Sequence, residues 1–269
     1  MLSRTLKMAF WVTYDHLGKL LLLNFLCALI FVMPLGMVWA TLATGDALLM
    51  LSVALPLILL AFCVMLPVAC AGMAHFMKIL IEKRDAALAD FFWGMRRYAL
   101  RASGVATVFI AVLVCLMTSA WFYATQLGAT LPWLGYALSA LALWCLIFTG
   151  MASLLVMPAL VQKNAGVFAT WKLCMLLVLD NPLFCIGMAL YVAVFSAFCL
   201  LPPIFMCFSI APIMALSASA YEILSRKYAA VAAAHEKGVA NGAKKFNFRD
   251  EEDDYLNRGF RDFLFPWKS

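Results

Sequence analysis

Long uncharged apolar runs alternate with short charged blocks along the chain. The runs cover residues 20–43, 48–74, 102–124, 133–161 and 183–221. A helix that crosses a bilayer needs about 20 mainly apolar residues, so each of the first four predicts one span. The fifth, 39 residues long, exceeds one span and contains Pro202-Pro203, which suits a tight break between two helices. Pro56 and Pro67 predict kinks in the second span, where neighbouring helices can satisfy the freed carbonyls. The pattern therefore predicts an all-α polytopic transmembrane helix bundle of about six spans in three hairpins.

The charges test that division. Three Lys/Arg (Arg4, Lys7, Lys19) precede the first span, six lie between residues 78 and 101, two in 162–182 and nine in 222–269. The connections at 44–47 and 125–132 hold none. Basic residues stay on the cytoplasmic side. Six spans put every Lys and Arg on one face, with both termini cytoplasmic, whereas five would translocate the nine-charge tail.

Each hairpin follows an amphipathic segment that carries a tryptophan. These segments are residues 2–19 around Trp11, 87–101 around Trp93 and 165–182 around Trp171, with the tryptophans 82 and 78 residues apart. This reads as a unit of about 80 residues: interfacial amphipathic helix, span, turn, span. Trp11, Trp93 and Trp171 are the expected interfacial anchors, since an indole keeps an apolar ring in lipid and an N–H at the headgroups.

Composition agrees. Hydrophobic residues make up 66% of the chain and charged residues 13%, too much apolar surface for one soluble core. Nucleic-acid binding is a poorer account of the net charge of +6 than basic blocks lying against anionic lipid. The nine cysteines show no CxxC pair and read as small packing residues rather than a disulfide or metal framework.

Residues 1–228 form the expected membrane bundle and 229–269 a cytoplasmic tail. An Ala-rich stretch leads to a short amphipathic aromatic helix in which Tyr255, Leu256, Phe260, Phe263 and Leu264 follow helical spacing, with Phe265 and Trp267 beyond. These apolar groups need burial on the bundle, on lipid or in a partner's groove.

Catalytic chemistry is hard to find. No Asp, Glu, Lys, Arg or His lies in residues 20–45, 48–74, 102–162 or 183–221, although intramembrane charges are the usual mark of an ion or substrate path. Asn24 is the most polar side chain in a span and reads as a helix–helix hydrogen-bonding residue. His75 near Cys70 has nothing to orient it as a thiol–imidazole pair. Ala211, Ala215 and Ser219 form a small-residue stripe suited to close helix approach. No cofactor, metal site or catalytic residue is expected. Lys78, Lys83, Arg84, Arg96, Arg97 and Arg101 share one connection with Phe91, Phe92 and Trp93. They are the candidate contacts for lipid headgroups or another anion.

One region carries a family likeness. It runs Leu66-Pro67-Val68-Ala69-Cys70-Ala71-Gly72-Met73-Ala74, continues through residues 78–84, and ends in Asp90-Phe91-Phe92-Trp93-Gly94-Met95-Arg96-Arg97-Tyr98. Over about residues 58–104 this resembles the YesL-like family of bacterial multi-pass membrane proteins, and Asn24 also looks like a family feature. The chain departs from that pattern at Cys70 and Met73, in a preceding extra span and in its longer tail. The resemblance implies a bacterial cytoplasmic (inner) membrane protein, in a family sometimes linked to carbohydrate uptake, and supplies no catalytic residue.

The expected function is a non-enzymatic accessory or scaffold protein. It would bind a membrane complex or transporter subunit through the basic loop and the aromatic tail, and contact membrane lipids. The alternative is a transporter or permease component for a neutral or lipidic substrate. A water-filled cavity lined by Asn24, Thr118, Ser119, Ser153 or Ser196 would favour that alternative, and a dry one would weaken it.

Overall fold

The computed structural model describes residues 1–200, 209–236 and 254–258. Among these the chain is helical throughout, with no strand. Helix α1 (Leu2–Asp15) is followed by α2 (Leu17–Thr44), α3 (Ala47–Lys83), α4 (Leu88–Thr130) and α5 (Pro132–Lys163). Then come α6 (Val167–Asp180), α7 (Pro182–Leu200), α8 (Ile210–Glu236) and the single turn α9 (Asp254–Asn257). The helices α2, α3, α4, α5 and α7 are long and apolar enough to cross a membrane. The chain is thus a multi-pass membrane protein built as an all-helical bundle. The sixth expected span falls partly on α8, whose apolar N-terminal half is buried. Pro202-Pro203 and Cys207 lie outside the described residues.

The breaks follow local chemistry. Gly45 ends α2 at φ +68°, and Asp46 accepts the Leu48 N–H to start α3. Arg84 and Asn164 end α3 and α5 in the left-handed region, at φ 62° and 51°. Asp90 accepts the Ala87 N–H at 2.9 Å and fixes the start of α4. The expected separate surface helix around Trp93 is corrected here. Residues 88–122 form one unbroken α-helix: no proline breaks the chain near Arg101, and Ser103 and Gly104, which could cap a helix end, lie inside it. The segments around Trp11 and Trp171 do end before their spans, at His16 and at Asn181-Pro182.

The two expected kinks take a specific form. Residues 50–54 and 61–65 of α3 are π-helical turns, each just ahead of a proline. Pro56 and Pro67 have no N–H to donate and crowd the carbonyls four residues back, those of Ser52 and Cys63. A widened turn relieves that crowding without breaking the helix.

The core sits toward one end. Phe76, Met77, Leu80, Phe91, Leu155, Leu160, Leu216 and Ile223 are fully buried there, while Trp39, Leu51, Trp121, Trp133 and Trp144 stand exposed along the spans. Helix α3 has 37 residues, about 55 Å at 1.5 Å per residue, against roughly 30 Å of hydrocarbon. Its C-terminal half is the part that packs, chiefly on α4. That crossing is very close. A Cβ on Gly94 would lie 2.6 Å from the His75 Cβ and 3.2 Å from the Gly72 Cα; one on Gly72 would lie 2.5 Å from the Met95 Cγ. Both glycines fall within the stretch that carries the family likeness.

Candidate functional site

Polar contacts gather the breaks between helices into one charged end. Lys19 reaches across to Asp85 at 2.5 Å and to the Ala86 carbonyl at 3.0 Å. Arg101 donates to the Asn164 carbonyl at 2.9 Å and to its Oδ1 at 2.6 Å. Lys227 donates to the Asn181 Oδ1 at 2.7 Å, and Asn181 donates to the Tyr228 hydroxyl at 2.8 Å. Tyr228 in turn donates to Asp180. Burial, then the hydrogen bond to Asp180, push the Tyr228 phenol up to about 12. An open groove of about 580 Å³ runs beside this cluster, between Lys163, Leu176 and Leu224.

The six basic residues expected to form an anion site share this end but not one site. Lys78 lies 3.9 Å from Glu82 one turn on along α3. Lys83 is exposed in the last turn of α3. The Arg84 guanidinium sits 3.7 Å above the Tyr255 ring. Arg101 is engaged with Asn164. That leaves Arg96 and Arg97, exposed with Phe92, Trp93 and Leu100 along one face of α4. Positions 92, 93, 96, 97 and 100 share a side because helical neighbours recur every three to four residues. Arg97 lies 4.6 Å from the Trp93 ring, which also rests against His75 at 4.7 Å.

The three tryptophans differ. Trp93 is half-exposed, whereas Trp11 and Trp171 are buried at 4% and 7%. The Trp171 Nε1–H donates to the Val105 carbonyl at 3.2 Å, and its ring stacks on Phe109 at 5.9 Å. In the tail, Tyr255 is buried and Leu256 partly buried against α1. Lys7 donates to the Leu256 carbonyl at 2.6 Å, and Arg258 pairs with Asp15. Phe260, Phe263, Leu264, Phe265 and Trp267 lie outside the described residues.

Two features escaped the sequence pattern. One is the Asp180–Asn181–Lys227–Tyr228 cluster, signalled only by the Asn-Pro break at 181–182. The other is an apolar chamber of about 310 Å³ between α3, α4, α5, α6 and α8. Of the polar residues proposed for a transport cavity, the chamber's lining includes Ser153. Asn24 is spent elsewhere, accepting the Ala211 N–H at 2.9 Å. Among the described residues no cluster of His, Cys, Asp or Glu could hold a metal ion.

Comparison with family models, with curated proteins and with solved structures finds no match in any of the three.

Proposed function

We propose that this chain is a non-enzymatic accessory or scaffold protein of a bacterial cytoplasmic membrane. Its charged end would face the cytoplasm and dock against anionic headgroups and a membrane complex. The observation that carries this reading is the exposed face of α4, where Phe92, Trp93, Arg96, Arg97 and Leu100 stand together. Aromatic rings anchor at the headgroup level, and each basic residue near an anionic surface adds about 1 kcal/mol. The clustering of basic residues at one end supports the cytoplasmic orientation. The resemblance of residues 58–104 to the YesL-like family fits the same setting.

The test is purification in mild detergent followed by mass spectrometry of the intact chain, a chain ending at Lys245 and an Arg96→Gln/Arg97→Gln variant. A stoichiometric membrane-protein partner, lost in the truncated chain and depleted in the Arg96→Gln/Arg97→Gln variant, is expected. Intact protein that purifies alone overturns the reading. The apolar chamber lends some weight to the rival, a permease component for a lipidic substrate, but its lining offers no polar track across the bundle.

A further inference from the structure

The chamber between α3, α4, α5, α6 and α8 has no place in the scaffold reading. Its volume of about 310 Å³ falls within the roughly 300–1,000 Å³ of small-molecule sites. Its walls carry few polar side chains: Ser153 on α5, Trp171 on α6 and the buried Ser217 on α8. Ser153 lines it, but the Ser153 hydroxyl donates to the Gly150 carbonyl at 2.7 Å within its own helix. Trp171 lines it, but its N–H is satisfied by Val105, and its ring lies flat on Phe109. A lining so largely apolar favours the uptake of apolar molecules.

The access route is also apolar. Phe62 lines the chamber and is 50% exposed. It stands in the π-turn at residues 61–65, which Pro67 forces on α3, and π-bulges recur at functional sites. Phe62 lies well inside a helix long and apolar enough to cross a membrane. An opening past it would face the hydrocarbon, and Trp171 stands among the lining residues on α6.

We propose that the chamber binds a single acyl chain of a bilayer lipid, entering sideways past Phe62. No charged side chain lines the cavity, so a soluble anion or sugar has nothing to pair with there. A hydrocarbon chain needs no partner and is the most abundant apolar molecule at that depth. The headgroup stays outside the bundle.

The experiment uses the full chain reconstituted in vesicles that contain phosphatidylcholine with a diazirine at the end of one acyl chain. Irradiation, digestion and mass mapping then locate the adducts. Adducts on Phe109, Met157 and Met214 are expected in addition to those on exposed mid-span positions such as Val114 and Ile147. Ala106→Phe fills the chamber from α4 and should abolish the first set while leaving the second. Ser153→Leu fills it from α5 and serves the same purpose should Ala106→Phe not fold. A wild-type map confined to outward positions overturns the proposal, as do interior adducts that survive both filling substitutions in folded protein.

Discussion

The side-chain oxygen of Asn24, on α2, accepts the backbone N–H of Ala211, in the first turn of α8, at 2.9 Å. The first N–H groups of a helix have no partner within it. Here a residue 187 positions earlier supplies the cap, and both residues are buried, at 2% and 0%. The span's most polar side chain thus joins the first and last long helices of the bundle. Asn24→Leu leaves a buried N–H unsatisfied and should cost about 1–2 kcal/mol. Denaturant titration in detergent micelles measures this. Thr41→Val, whose hydroxyl bonds only within its own helix, is the control and should shift the midpoint far less.

The α3–α4 crossing makes a sharper prediction. Gly94→Ala places a methyl group 2.6 Å from the His75 Cβ, and neither backbone can yield without moving a helix. Overpacking of this kind costs about 1–3 kcal/mol. Gly150→Ala is the counterpart, since an added Cβ there meets nothing within 4 Å. It should be neutral or stabilise by up to about 1 kcal/mol, from helix propensity alone. Thermal unfolding of the two variants side by side decides it: equal shifts would mean the crossing is looser than the structure shows.

Those two cases mark how far the sequence could be read. Asn24 was legible because an amide in an uncharged span must find a partner. The kinks were legible because proline lacks an N–H, although their π-helical form depends on how α3 absorbs the strain. The helices that can cross a membrane follow from apolar run length. The continuity of α4 through Arg101 was missed because amphipathic pattern alone does not reveal whether two segments share one axis. The chamber and the Asp180–Tyr228 contact were illegible for a different reason. Each joins residues far apart in the chain, and no local period records that proximity. The basic residues around Arg84 shared an end, as their spacing implied. Only the packed structure separates Lys78, Arg84 and Arg101, engaged by Glu82, Tyr255 and Asn164, from the exposed Lys83, Arg96 and Arg97.

His16, at the joint between α1 and α2, confers an acid sensitivity. Burial is the largest influence and holds its imidazole below the usual value of 6.5. Asp15 and Asp85 oppose that shift, while Lys19 and Arg258 add to it. A base whose folded-state affinity for protons is reduced binds more protons when unfolded. Its stabilising contribution is complete above 6.5 and is lost as pH falls through that value toward the folded one. The melting temperature should therefore drop between pH 7 and 5.5, and His16→Gln should flatten that part of the profile. Asp85 is a separate case. Its hydrogen bond from Lys19 holds the carboxyl below its ordinary value of 3.8, so its contribution fades only in more acidic solution. An unchanged slope in His16→Gln would assign the effect elsewhere.

The tail offers the last test, because Tyr255 is buried at 2% although only residues 254–258 of this region are described. The Arg84 guanidinium covers its ring at 3.7 Å, and the Arg258 guanidinium lies 5.7 Å from the same ring and 5.3 Å from that of Trp11. Arg258 also pairs with Asp15, and Lys7 holds the Leu256 carbonyl. Two cations close to one phenol ring repel each other, and the Asp15 carboxylate paired with Arg258 offsets that repulsion. Tyr255→Ala removes the ring and should release the segment, with faster protease cleavage after residue 236. Arg84→Gln keeps a long side chain at the left-handed position and removes the charge. It should weaken docking by about 1–2 kcal/mol, the range for a partly desolvated cation–π contact. Combining the two substitutions should add little to Tyr255→Ala alone, because both act on one contact. Fully additive effects on cleavage rate would mean that Arg84 and Tyr255 act independently, and the docked geometry would then be wrong.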